Sequence, residues 1–522
     1  MMPMNGVLLL FALLFSCSTQ TLALIPKPTN YAKTTTACNL PLDTKFQHDY
    51  PSCYILTSCL RRFESRLITK HMPMPEVNSD DCIIDSIKIE IRNGCDESEY
   101  GVWPSESMDE SYIVSILEGE IKINSNEIWG TMRALETILQ LIYTNNFGEN
   151  IIFNGLIEDN PKYSYRGLLV NTAKYFIPID TLRRTIDTMA MVKMNVLHWH
   201  ITDDESFPYV SSVYPELSEK GAFHPQTCTY NELDITSLLE YARLRGVRVI
   251  PELDTPGHTL SWGKAYPHLL TECFDKSEPD GNFGPMNPAR QFTYDFLENI
   301  YKEVILRFPD GYIHLGGNDI YLHCWKSNPE IIEFMSAMQF GNDYYKLEAY
   351  YMENLVQIVL NATNPEPTTT PIIYQEIFEH GFNGDNNTII HAWITENWKS
   401  VAKKATEKGY RVIVSGAWNL NSLVYEGDWV WYYKQDIRDF QGSPEQMELV
   451  IGGEAAVWSK YVDETNLISL AWPRGAAIAE RLWSEDIGDV QDFRQRLSEL
   501  QCRMLRNRIK GHPVNGPGFC PP

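Results

Sequence analysis

YIHLGGNDIYLHCW, residues 312–325, decides how the whole chain is read. A short apolar run stops at Gly316-Gly317, and Asn318 and Asp319 follow at once. Such a run before glycines predicts a buried strand that ends abruptly. A polar pair just past such a strand is where a (β/α)8 barrel places its chemistry, at the C-terminal face. Working outward, the same pattern predicts strands at 165–172, 196–200, 247–253, 313–317, 371–375, 388–393, 411–415 and 452–458. Eight strands close such a barrel. Helical periodicity falls between them at 179–191, 234–245, 293–308 and 347–360, with 472–482 and 489–508 closing the chain. The segments share no internal motif, which argues against a repeat array.

Ahead of the barrel, 83–91 alternates as a strand does, 112–123 reads as a second strand or hairpin, and 126–143 has helical spacing. These predict a small α+β domain over 24–160, ending at the turn Asp159-Asn160-Pro161, with the barrel domain over 161–522. The 522 residues, 43% of them hydrophobic, are enough for one large domain and a smaller companion. Residues 1–23, with an apolar run at 7–15 and small residues near Ala23, read as a secretory signal. No other stretch approaches membrane-spanning length. A formal net charge of -24 argues against nucleic acid and acidic membranes as partners.

Eleven cysteines are present, and Cys17 falls in the signal, leaving ten that could pair in an oxidising compartment. Cys38, Cys53, Cys59, Cys82 and Cys95 crowd the N-terminal region without the histidines of a zinc site, and their pairing, like that of Cys228, stays open. Asn361 and Asn386 begin glycosylation sequons, consistent with secretion. The acidic clusters lack calcium-loop spacing, and no metal or organic cofactor is implied.

Polar and aromatic candidates gather at the expected strand ends: Arg166, Asp203, Asp204, Glu205, Glu252, Asp254, His258, Asn318, Asp319, Gln375, Glu376, Trp393, Trp418 and Trp458. Acids for hydroxyls and aromatic walls for apolar sugar faces suit a sugar pocket. Polar barrel rims alone would account for part of the acids, but poorly for tryptophans after three late strands.

Several motifs resemble the β-N-acetylhexosaminidases, retaining glycosidases that use the substrate's own acetamido group: YRGLLVNTA (165–173), LHWHITDDESFPY (197–209), YARLRGVRVIPELDTPGHTLSW (241–262), HLGGNDIYLHCWKSNPE (314–330) and GGEAAVWSKYVD (452–463). The resemblance implies a (β/α)8 barrel behind a small α+β domain, a ligand ending in N-acetylglucosamine or N-acetylgalactosamine, a secreted or lysosomal location, and a homo- or heterodimer with a related chain. Carried over by position, Arg166 binds distal sugar hydroxyls and Asp203 with His258 supports the proton donor; Glu252 is counted among the substrate-binding residues. Trp393, Trp418 and Trp458 box the acetamido group. The resemblance also implies disulfides Cys273–Cys324 and Cys502–Cys520.

The pattern then breaks at the chemistry. The family's Asp-Glu pair is Asn318-Asp319 here. Asp319, at the acid position, is shorter than Glu by one carbon–carbon bond, about 1.5 Å of reach. Asn318 can accept a hydrogen bond from the acetamido N–H but cannot supply the charge that stabilises an oxazolinium-like intermediate. Asn419 stands where the family has Tyr, Lys460 where it has Glu, and Asn171 where it has Asp. A kept scaffold with altered chemistry predicts recognition of N-acetylhexosamine with strongly impaired or absent hydrolysis. The alternative is an active hydrolase using Asp319 as general acid.

Overall fold

The computed structural model describes residues 24–520 except 70, 75–76, 78, 80–81, 96, 98–100, 363–368, 422–426 and 517. The expected signal at 1–23 lies outside the described residues. Eight parallel strands close into a barrel: Tyr165–Asn171, Val196–Thr202, Arg248–Leu253, Tyr312–His314, Thr370–Tyr374, Ile389–Ala392, Arg411–Val414 and Val450–Val457. Each lies within a few residues of its expected run. The fourth is the shortest, because Gly316 and Gly317 take φ 80° and 95°, outside strand geometry. A Cβ on Gly316 would sit 1.9 Å from Asp254 Oδ1, and one on Gly317 2.5 Å from Ile377, so only glycines let the chain turn here.

The helices between strands form for amphipathic reasons. Ile179–Met191 buries Leu182, Ile186 and Met189 on one side. Gln291–Arg307 and Tyr344–Ala362 do the same behind strand four. Inside the barrel, Tyr165, Val196, Ile250, Tyr312, Ile372, Ile389 and Ile413 form an apolar plug of their own.

The N-terminal part is a nine-stranded sheet with helices Tyr54–Leu67 and Ile128–Leu141. The 112–123 run is a hairpin, Tyr112–Leu117 with Glu120–Ser125. The 83–91 run splits: Cys82–Ile83 pairs with Asn30–Asn39, while Ser86–Ile91 pairs with Glu120–Ser125. Disulfides join Cys38 to Cys82, Cys53 to Cys95, Cys273 to Cys324 and Cys502 to Cys520; Cys59 and Cys228 are free thiols. The last two bonds are those the resemblance implied.

A buried polar seam ties this sheet to the base of the barrel. Glu110 accepts from Arg166 Nη2 at 2.6 Å, from Arg133 Nε at 2.8 Å and from Asn195 Nδ2 at 3.1 Å. Beside it Lys193 Nζ donates to Asp159 at 2.7 Å, as does Trp483 Nε1 at 2.9 Å.

Candidate active site

The site is built at the C-terminal ends of the barrel strands. Asn318 follows strand four and is buried. With its amide oriented to donate, Nδ2 lies 2.5 Å and 3.2 Å from the carboxylate oxygens of Asp254, which also accepts from Gly317 N at 2.9 Å. Burial pushes the Asp254 carboxyl up to about 8, against the pull of His258. Near neutrality, therefore, position 318 and its partner together carry little negative charge. Asp319 is exposed on a left-handed backbone, φ 45°.

Asp203, after strand two, is the hub of the next group. His258 Nδ1 lies 2.9 Å from Asp203 Oδ1, Asn171 Nδ2 donates to Oδ2 at 2.7 Å, and Lys174 Nζ reaches Oδ2 at 3.0 Å. Burial opposes ionisation of Asp203, but His200 and His258 overcome it and hold the carboxyl well below the usual range. An Asp at position 171 would place a second carboxylate against Asp203, so the amide fits this partner better. Asn171 Oδ1 meanwhile accepts from the backbone of Ala173 and Lys174.

The aromatic wall has three members, one of them unexpected. Trp393, Trp458 and Tyr374 surround one another, with ring centroids 5.6, 5.9 and 6.0 Å apart. Trp458 also meets His200 edge-on at 5.6 Å. Asn419 turns its side-chain oxygen back to Asn421 N at 3.0 Å, and Asn421 in turn receives Trp458 N at 3.1 Å. Lys460 is exposed just beyond Trp458.

Three expected site residues lie elsewhere. Arg166 is fully buried at the other end of strand one, donating to Glu110, Tyr163 O and Lys193 O, and so belongs to the seam. Trp418 is 1% exposed because the turn to Ser415 O folds it inward, where its Nε1 donates to Tyr432 O. Glu252 points into the barrel, 2.8 Å from His198 and 2.7 Å from His200. Tyr374 and Lys174 were missed. The first ends a strand rather than following one, and the second is a single lysine among charged neighbours; neither carries a distinctive local pattern.

Glu252 belongs to a buried layer of alternating carboxylates and imidazoles. Tyr165 donates to Glu454 at 2.7 Å, and His198 bridges Glu454 and Glu252 at 2.9 Å and 2.8 Å. Burial lowers the His198 pKa, but the two carboxylates overcome it and hold it up at about 9. Folded values above the unfolded value of about 6.5 mean that the folded state binds extra protons between the two. This contribution is full below about 6.5 and is lost as pH rises toward about 9. Melting temperature measured from pH 6 to 9.5 should fall across that window; a flat profile would contradict the assignment.

An eight-stranded barrel carrying an aromatic cage, a carboxylate–imidazole pair and a strand-four polar pair at one mouth defines a carbohydrate-site barrel of the glycosidase class. The comparisons sharpen this. Residues 163–486 match the family model "Glycosyl hydrolase family 20, catalytic domain", and residues 24–141 match "beta-acetyl hexosaminidase like". The chain belongs to glycosyl hydrolase family 20. It is 40% identical over 473 residues to the beta-hexosaminidase subunit beta of Felis catus, covering 90% of this chain and 87% of that one. It is 39% identical over 493 residues to the subunit alpha of Bos taurus, covering 92% and 91%. Among solved structures, a Flavobacterium johnsoniae chitobiase superposes with a TM-score of 0.79 at 27% identity, covering 94% of this chain and 73% of that one.

Proposed function

We propose that this chain recognises terminal N-acetylglucosamine or N-acetylgalactosamine and hydrolyses it far more slowly than an Asp-Glu pair would. One observation carries the reading: the side chain at position 318 is a neutral amide, placed against the Asp254 carboxyl, whose ionisation burial disfavours. In substrate-assisted hydrolysis the acetamido oxygen attacks the anomeric carbon while a carboxylate at this position holds the acetamido nitrogen. Asn318 can accept that N–H but adds no charge as the intermediate becomes cationic. The trio Tyr374, Trp393 and Trp458 supports retained recognition. In the second reading Asp319 is the acid of an active hydrolase; for this it has to turn inward from its exposed place after Gly317.

Calorimetric titration with an N-acetylglucosamine thiazoline tests recognition. Binding is expected, and no heat would overturn it. Trp458→Ala should weaken that binding about tenfold through loss of one wall. A place outside the cytosol, secreted or lysosomal, follows from the expected signal, four disulfides, and exposed Asn361 and Asn386. No helix among the described residues is long and apolar enough to cross a membrane. Relatives described as alpha and beta subunits support a homo- or heterodimer with a related chain. The division at residue 160, between the α+β part and the barrel part, also belongs to this proposal.

A further inference from the structure

A small cavity lies where the N-terminal part meets the outer helices of the barrel, away from the strand ends described above. Helix Tyr54–Leu67 lines it with Cys59, Arg62, Phe63 and Arg66, three and four residues apart and so on one helical face. A face turned toward a neighbouring element is ordinarily apolar, yet two of these four residues are arginines. Helix Ile128–Leu141 adds Arg133 and Glu136, helix Ile179–Met191 adds Asp187, and Arg245 completes the lining charges. Four guanidiniums thus face two carboxylates.

Both carboxylates are already engaged. Glu136 takes a two-pronged ion pair from Arg66, with Nη2 3.0 Å from Oε1. Asp187 accepts from Arg245 Nε at 2.5 Å and from the Tyr241 hydroxyl at 2.8 Å. Arg133 is paired with Glu110, outside the cavity, and donates to Arg245 O and Gly246 O as well. Arg62 is left over. Its Nη1 donates to Ser58 Oγ at 3.1 Å, and among the described residues no carboxylate lies within 4.0 Å of it. A partly buried guanidinium answered only by a hydroxyl is an unfavourable arrangement that an anion would relieve. Burial holds the Arg62 pKa below its ordinary value, in keeping with that cost. The cavity volume, about 80 Å³, sets the size of the occupant. It is too small for a sugar, because pockets that enclose drug-sized ligands measure about 300–1,000 Å³. It suits roughly two or three waters, or one small ion.

We propose that this cavity is a binding site for one tetrahedral oxyanion of the phosphate type, held by Arg62 among its neighbouring guanidiniums. Guanidinium forks match the paired oxygens of such an ion, and Arg62 has donors to spare. Arg62 and Arg66 are both partly exposed, so the ion enters from solvent along helix Tyr54–Leu67. The lining draws two helices from the N-terminal part and one, with Arg245, from the barrel part. A bound ion therefore fastens the two parts to each other. The site is separate from the barrel mouth, and the proposal holds whatever the mouth binds.

The test titrates the full chain with inorganic phosphate by calorimetry, in chloride buffer of matched ionic strength. One phosphate should bind per chain. At a tenfold excess over the measured Kd, the melting midpoint should rise by about 1–2 °C over the chloride control. Arg62→Met should weaken phosphate about tenfold or more, through loss of charge-assisted hydrogen bonds, and should abolish the rise in midpoint at the same phosphate concentration. Its midpoint in chloride should stay at the natural value or above, since the variant removes a charge that has no acidic partner. No heat with millimolar phosphate would show that the cavity holds water alone and would overturn the proposal. Equal phosphate affinity in the natural chain and in Arg62→Met would overturn it too. Should Arg62→Met lack a cooperative melt, Arg62→Gln takes its place with the same expected loss. Phenyl phosphate separates the two sources of this chemistry: competition with phosphate extends the site to phosphate esters, and lack of competition confines it to the free ion, each in support of an oxyanion site.

Discussion

The double variant Asn318→Asp, Asp319→Glu should hydrolyse a chromogenic N-acetylglucosaminide about a hundredfold or more faster than the natural chain. Two effects add in the same direction. The restored carboxylate at 318 supplies charge to the cationic intermediate within a buried, preorganised site, where one such group is worth roughly 2.7–4 kcal/mol. The restored methylene at 319 returns about 1.5 Å of reach, and misplacement of a catalytic group by about 1 Å costs around a hundredfold. The effects share one catalytic unit, so their product overstates the gain. Asp254 can accommodate the change: burial already favours its protonated form, and two adjacent carboxyls share a proton readily. Wild-type turnover within tenfold of the double variant would show that the pair is not what limits this chain.

Replacing Arg166 with Met should cost roughly 3–5 kcal/mol of stability, because it leaves Glu110 ionised in the seam with one charged partner fewer. Burial resists ionisation of Glu110, and Arg166 and Arg133 together hold its carboxyl low. The guanidinium also satisfies Tyr163 O and Lys193 O, which would lose their donors. Denaturant titration would report the loss, while thiazoline affinity, measured where the variant is folded, should stay close to that of the natural chain. Normal stability with lost affinity would return Arg166 to the pocket.

The case of Arg166 shows what a sequence can and cannot disclose. All eight barrel strands were legible because each is a short apolar run closed by polar or glycine residues, a pattern that burial on both faces imposes. Which end of a strand a residue occupies is also legible in principle. Arg166 is the second residue of strand one and so belongs to the base; its charge drew it wrongly to the mouth. Glu252 misled in another way, since a charged residue inside a barrel is rare enough to suggest a ligand, yet here it faces histidines. Trp418 follows strand seven as Trp393 follows strand six, but a tight turn reverses its direction, and turns of that kind leave little trace in the local sequence. The strands Asn30–Asn39 and Asn150–Asp159 went unread, the first because its solvent-facing TTT segment hides any alternation. The hairpin at Leu270–Asp275 and Glu278–Met286 was hidden by Pro279, Gly281, Gly284 and Pro285. In the site itself, Asn318, Asp319, Asp203, His258, Trp393 and Trp458 were found by position after a strand. Tyr374 and Lys174 required coordinates.

The seam of Glu110, Arg133, Arg166, Lys193 and Asp159 bears on how this chain can be taken apart. Across the turn, Arg166 pairs with Glu110 and Lys193 with Asp159. Cleavage in the turn near Asn160 would therefore not yield two autonomous pieces, since either fragment would have to carry bare charges on what had been an interior face. Dissection of this molecule for expression or engineering has to follow the contour of those ion pairs rather than the apparent gap between its architectures.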